Sequence, residues 1–303
     1  DCVNHLKQIG IALAAHQSAQ GKFPAARRPD SLDSSGRPTC SGCLSIHYQI
    51  LPFVDQSPLY NAMNVPSYTA TPAGSGLPRP PHDQSNQTFH ETRLSTFLCP
   101  SDYDGLTPGN HYRGTVGPFA NYFESGTIPG GGGAFPGFDG LAPRDFPDGL
   151  STTIGFSERV LGSGRRSGFD RQRDYWYSGV MAVDFSMSGD RLMAACASLD
   201  ASSPATWTKG GTWWSFANYS DTLYNHVAPP NWKAMDCSGF SQLPDGNLAG
   251  SAISARSLHP GGVNGLTMDG SVHFFRDAIQ LSVWRALSTR SGHESISTDI
   301  FSF

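Results

Sequence analysis

Residues 2–20 read CVNHLKQIGIALAAHQSAQ, and their periodicity sets the architecture. Cys2, Leu6, Ile9, Leu13 and His16 recur at steps of four, three, four and three, which places them on one stripe of an α-helix. Val3 and Gly10 widen that stripe. Gly21 suits the left-handed position after a helix, and Phe23-Pro24 stops its continuation. The helix opens abruptly at Asp1, and the expectation is that it continues upstream of this sequence.

The other end of the chain carries a second local signal. Residues 263–268 and 271–276 are apolar-alternating runs on either side of Asp269-Gly270, a pair that predicts a two-residue type I′ hairpin. Such a turn pairs Met268 with Ser271 and Leu266 with His273, with Leu266, Met268, Val272 and Phe274 as its apolar faces. A short helix is expected around 281–287, with Val283, Trp284 and Leu287 inward.

Between these ends the chain is rich in turn residues, with 34 Gly and 22 Pro spread without a period. It has only four Lys and four Glu, the rest of its charge being Arg and Asp. Lys and Glu favour helices and Asp favours caps and turns, so the body is not mostly helical. Residues 47–54 read as a buried segment broken by Pro52, and 56–63 as a short helix. Residues 66–88 read as a long loop, and 93–99 as a strand-like run ending in Pro100-Ser101-Asp102. Residues 148–160 read as a turn and then a strand with Glu158 at its far end, and 174–185 as another strand. The glycine run 130–133 lacks the strand, helix and Lys of a phosphate loop, so it reads as a surface loop.

Composition excludes some functions. The net charge is −4 and no basic stripe with interleaved aromatics is present, which argues against a nucleic-acid partner. No apolar run of about eighteen residues is present to span a membrane. Six cysteines in a loop-rich chain fit disulfides and an oxidising compartment. Six allow fifteen connectivities, and the sequence does not choose among them. Cys40 and Cys43 read as a short disulfide loop, half of a zinc site or a redox motif, the first being preferred. Cys196 with Cys237 is the second expected pair, and Cys2 with Cys99 the remaining one.

Ordered motifs carry a family resemblance. Residues 257–272 read SLHPGGVNGLTMDGSV, with nine residues between His259 and Asp269-Gly270. Residues 4–10 (NHLKQIG), 97–102 (FLCPSD), 148–154 (DGLSTTI, with Glu158 following) and 284–290 (WRALSTR) resemble further motifs of the same family. The sequence thus resembles a large bacterial family best known from planctomycetes, of unknown function and with a solute-binding-like label. Its matches run in order from residue 2 to about 294. Members resemble type IV pilins and type II secretion pseudopilins, with a leader and a hydrophobic helix that would precede Asp1. The resemblance implies secretion and an α+β fold, in which an N-terminal helix packs on an antiparallel β-sheet with large loop- and strand-rich insertions. It also implies one elaborated domain over 1–303: helix 2–20, a β-rich body of about 44–260, and a hairpin and helix over 261–290.

The site residues follow. A His oriented by an Asp forms the core of many hydrolytic sites. Here His259 and Asp269 belong to opposite ends of a ribbon that spans roughly 30 Å, which argues that His259, Asp269 and Gly270 are fold determinants. No G-x-S-x-G elbow or H-E-x-x-H helix is present, so no catalysis is expected and a hydrolase is the least favoured reading. Trp207, Trp213, Trp214 and Trp232 are either core or a sugar-stacking surface. No cofactor is expected; the alternative is calcium on Asp102, Asp148 and Glu158, although EF-hand spacing is absent. The expected function is a pilin-like assembly subunit at the cell surface, with other pilin-like subunits as partners through the N-terminal helix. A binding module for polysaccharide or another solute is the alternative. Membrane contact is expected only through the upstream hydrophobic helix.

Overall fold

The computed structural model describes residues 1–28, 31–32, 38–39, 44–63, 86–102, 108–119, 132–166, 168–178, 188–199, 206–239, 251–294 and 296. Helix α1 (Cys2–Gln20) buries Cys2, Leu6, Ile9, Gly10, Ala12 and Leu13, the stripe its spacing predicts. Two members differ. Val3 faces outward at 37% exposure, and His16 sits half-buried at the edge of the stripe. Asp1 occupies the N-cap position without a side-chain capping bond. Gly21 closes the helix at φ 75°, and its N–H donates to the Gln17 carbonyl.

The next segment is helical before 56–63 as well as within it, where a short helix is expected. The buried stretch around His47 forms α2 (Ile46–Ile50) and a 3₁₀ turn over Leu51–Phe53, followed by α3 (Ser57–Ala62). Ser45 caps α2, accepting the Tyr48 N–H. After α4 (Gln87–Glu91), residues 95–97 form a 3₁₀ turn rather than the expected strand. That turn brings Phe97 against His47 and Trp214 in the core.

The strands run β1 (Ser31–Leu32), β2 (Pro38–Thr39), β3 (Tyr112–Thr115), β4 (Ile154–Glu158), β5 (Tyr175–Ser178) and β6 (Thr206–Trp207). They continue with β7 (Leu223–Tyr224), β8 (Asp236–Gly239), β9 (Ser251–Ala252), β10 (Gly262–Thr267) and β11 (Val272–Arg276). Helix α5 (Gly189–Ala197) lies between β5 and β6, and α6 (Leu281–Ala286) follows β11. A five-stranded sheet has the order β11-β10-β4-β3-β7, and a four-stranded sheet the order β6-β5-β8-β9. Each contains one parallel pair, β3 with β7 and β5 with β8, so the expected antiparallel sheet is in fact mixed. Helix α1 lies on β10 and β11, where Gly10 allows close approach to Leu266 and the Gly270 backbone. The fold is α+β, with a helix on a sheet and loop-rich insertions.

The β10–β11 hairpin forms with a different turn. The ladder pairs Leu266 with Val272 and Gly265 with His273, one residue away from the two-residue register. Only Gly270 of the turn has positive φ, at 91°, whereas a type I′ turn needs two such residues. The Thr267 N–H donates to the Ser271 carbonyl, and the Gly270 N–H to the Thr267 carbonyl, closing a three-residue loop over 268–270. Phe275, at 2% exposure, faces the core opposite Val263, leaving Phe274 outside at 38%. Glycines 132 and 133, expected on a surface loop, are buried; a Cβ on Gly133 would strike the backbone of Val116 and Gly117.

Among the described residues, most buried apolar side chains fall into two cores. The main one gathers α1, α2 and the five-stranded sheet around Phe97, Phe156, Trp214 and Trp284. The second joins α5 to the four-stranded sheet through Leu192, Trp176 and the Cys196–Cys237 disulfide. Strand alternation divides β5 between them: Tyr175 belongs to the first core and Trp176 to the second. Asp236, fully buried on β8, accepts from Arg159, Arg256 and Ser254. Burial alone would raise its pKa, but Arg256 and Arg159 outweigh that and hold the carboxylate below its ordinary value. Asp236→Asn leaves two buried guanidinium groups uncompensated, so urea unfolding should show a loss of about 3–5 kcal/mol.

His226 is buried between Tyr224 and Trp284, stacked on the Trp284 ring with centroids 3.8 Å apart. Burial lowers its pKa from 6.5 to about 3. Between those values the unfolded chain binds a proton that the folded chain does not. Stability from this group is therefore complete above about pH 6.5 and falls as pH drops, by up to about 1.4 kcal/mol per pH unit. Chemical denaturation across pH 4–7 should show that slope reduced in His226→Gln.

Candidate functional site

The sheet carries Glu158 to the end of β4, a central strand, at 2% exposure. An ionised carboxylate there must find its partners inside the protein. Its Oε2 accepts the Asn264 N–H at 2.8 Å, and its Oε1 accepts the Asn264 side-chain amide at 3.0 Å. Nε2 of His259 lies 3.0 Å from the same Oε1. The His259 pKa is raised chiefly by this hydrogen bond to Glu158, with burial opposing the rise. Ser257 holds the loop: its hydroxyl accepts the His259 N–H and donates to the Gly262 carbonyl, while Gly261 turns at φ 82°.

The third component is sulfur. Cys2, at the start of α1, is bonded to Cys99, the pair expected to remain once Cys40 with Cys43 and Cys196 with Cys237 are matched. The Cys99 sulfur lies 3.8 Å from His259 Nε2 and 4.0 Å from Glu158 Oε1. Behind it, the Cys99 N–H donates to His111 Nδ1, whose Nε2 reaches the Asp102 carbonyl at 2.8 Å. The Tyr112 hydroxyl donates to the Cys2 carbonyl, and the His5 ring meets the Leu98 carbonyl. The start of α1 is thus fastened to residues 97–102 and to the sheet. An open groove of about 480 Å³ covers this cluster, lined by Val3, Pro100, Ser101, His259 and Phe274 among others.

The structure separates the signature residues. Asp269 lies in the hairpin turn, where it accepts the Thr267 hydroxyl at 2.6 Å and the Ser271 N–H at 2.9 Å. The six residues of β10, about 20 Å when extended, separate that turn from the His259 loop. The partner of His259 is Glu158. The sequence signal for it was the position of Glu158 at a strand end beside a chain poor in Glu; nothing in the spacing linked it to a residue 101 positions away.

The other candidates are placed as follows. Asp102 pairs with Arg173 at 2.6 Å and accepts the Leu161 N–H; burial works against its charge, and hydrogen bonds from His111 and Arg173 outweigh it, lowering its pKa. Asp148 accepts the N–H groups of Gly292 and His293. These two and Glu158, the calcium candidates, each have a separate set of protein donors. Trp214 is fully buried and donates to the Thr92 carbonyl. Trp207 and Trp213 pack partly buried on the main core, and Trp232 on the second, so the four divide between two cores rather than sharing one platform. Cys196 and Cys237 are bonded to each other. Cys40 and Cys43 lie outside the described residues.

Among the described residues, the only group of three or more potential metal donors is Cys2, Cys99, Glu158 and His259. No described helix is long and apolar enough to cross a membrane. Fold and site define an α+β protein whose N-terminal helix packs on its sheet and is tied by a disulfide to the 97–102 segment, beside the pair that partly exposed His259 makes with buried Glu158. The chain belongs to the family described as SBP_bac_10, protein of unknown function (DUF1559), which matches residues 1–282. No curated protein and no solved structure matches it.

A double-mutant cycle tests the pairing. Glu158→Gln and His259→Ala should couple by about 0.5–3 kcal/mol in unfolding free energy, whereas His259→Ala and Asp269→Ala should add within about 0.5 kcal/mol.

Proposed function

We propose that this protein is an extracytoplasmic structural subunit, pilin-like in kind, which assembles with copies of itself or with related chains through helix α1. The observation that carries this reading is the outer face of α1. The helix is packed on the sheet by one face and tied by Cys2–Cys99, yet Ile11 is 68% exposed and Val3 37%. Val3, Lys7 and Ile11 stand four apart, one above another on the solvent side. These two apolar side chains flank Lys7 on a helix whose opposite face holds it to the sheet, and they are where we place the contact with a neighbour. The two disulfides among the described residues favour an oxidising compartment, and the family resemblance suggests an upstream hydrophobic helix as the anchor. The body behaves as one domain built around the clasped helix and needs no cofactor for this role.

The test is cross-linking of full-length protein on the cells that make it. Ile11→Cys should give disulfide-linked dimers or higher species under mild oxidation. Arg144→Cys, on a side chain 84% exposed elsewhere, should not. Equal cross-linking at both positions, or none at Ile11, would remove the assembly reading. Saturable glycan binding by an uncross-linked monomer would put the polysaccharide-binding reading in its place.

A further inference from the structure

Beneath the groove, the Cys2 and Cys99 sulfurs, a Glu158 oxygen and a His259 nitrogen all lie within 4.8 Å of one another. Zinc is held tetrahedrally with Zn–S near 2.3 Å and Zn–N or Zn–O near 2.0 Å, which sets ligand atoms about 3.3–3.8 Å apart. The distances from His259 Nε2 to Cys99 Sγ and to Glu158 Oε1 are 3.8 and 3.0 Å, and Glu158 Oε1 stands 4.0 Å from Cys99 Sγ. The spacing that conflicts with such a site is between the two sulfurs, because they share a covalent bond.

We propose that this cluster is a redox-gated site for a thiophilic divalent cation, zinc by preference: with the disulfide open, Cys2, Cys99, His259 and Glu158 bind the metal. The opening step needs an external dithiol. Its two thiols give up two protons and two electrons, become a disulfide, and leave Cys2 and Cys99 as thiols. Metal binding then displaces both thiol protons and the proton on His259 Nε2, and Glu158 enters as the carboxylate. Two thiolates, an imidazole and a carboxylate form a set that zinc accepts and that calcium and magnesium, which take oxygen ligands, do not.

The surroundings are those of a metal site. Asn264 donates to both Glu158 oxygens and fixes its orientation, and Ser257 fixes the His259 loop. Such outer contacts orient ligands. The four donors come from α1, the segment after the 95–97 turn, the end of β4 and the loop before β10. Metal and disulfide are therefore alternative clasps for the same helix, and a chain not yet oxidised can hold α1 in place through the metal.

Co(II) is the probe, because thiolate ligation gives a charge-transfer band and tetrahedral geometry gives strong visible bands. The full chain is reduced with a phosphine, which does not supply a thiol ligand, and titrated with Co(II) and then Zn(II). Both spectral signatures should appear at one equivalent that zinc displaces, and should be absent before reduction. Cys2→Ser should abolish that equivalent, and His259→Ala and Glu158→Gln should each weaken it at least tenfold. Cys40→Ser with Cys43→Ser should leave it intact. His259→Ala and Glu158→Gln keep the disulfide, so their folding is checked in the oxidised state before reduction. A reduced protein that binds no cobalt, or cobalt binding indifferent to Cys2→Ser or to His259→Ala, overturns the proposal.

Discussion

A carboxylate at the end of a central strand, 2% exposed, must be satisfied from within the protein, and Glu158 takes its hydrogen-bond partners from around the start of β10. His259 and Asn264 come from either side of the start of β10, and the Cys2–Cys99 disulfide brings the helix and the 97–102 segment against them. Without this junction, α1 would depend on one apolar stripe and a handful of edge contacts. With it, the first turn of the helix is bonded to a segment 97 residues away, and loop closure of that size restricts the unfolded chain strongly.

The rest of the molecule extends outward from that junction. β4 ends at Glu158, and Arg159, the next residue, meets the buried Asp236 of the second sheet. The last residue of β4 and the residue that follows it thus serve two charge clusters: one lies beside the helix disulfide and the other fastens the second sheet. Val160 and Arg256 continue the pairing beyond the strand, their backbones bonded in line with the Glu158–Arg256 bond. Each such buried charge has to recover a desolvation cost, so the net stability it adds is smaller than its ion pairs alone suggest. The second disulfide, Cys196–Cys237, gives the smaller core the covalent support that its few apolar residues do not provide.

Local chemistry was legible in the sequence wherever one element decided the outcome. The 3.6-residue stripe of α1, its glycine stop, the strand ending at Glu158 and the terminal helix around Trp284 could be read from spacing and residue type, whereas the spacing of six cysteines leaves fifteen pairings open and the structure selects Cys2–Cys99 and Cys196–Cys237. Val3 was misplaced because a stripe read from periodicity does not say where the sheet it packs on ends. The hairpin at Asp269-Gly270 was correct in place but not in turn type, since Thr267 and Ser271 hold the Asp269 carboxylate and stabilise a three-residue loop. Residues 93–99 read as a strand in sequence because apolar runs of that length suit either state; packing of Phe97 on His47 and Trp214 accompanies the 3₁₀ turn formed instead. The site itself was least legible. His259 and Asp269 stand out by their motif, yet the partner of His259 lies 101 residues away, brought there by the antiparallel pairing of β4 with β10. The family is one of unknown function, so the role of the site rests on its geometry.

The central claim is that the cluster around Glu158 and the Cys2–Cys99 bond holds α1 on the sheet as a unit that can be released on its own. Native-state hydrogen exchange of α1 amides, compared between the oxidised protein and its Cys2→Ser, Cys99→Ser variant without added metal, tests this most directly. The account predicts that protection of α1 falls sharply while that of β5 and β8, behind the second disulfide, is retained. Equal loss of protection throughout, or an α1 as protected as before, would contradict it.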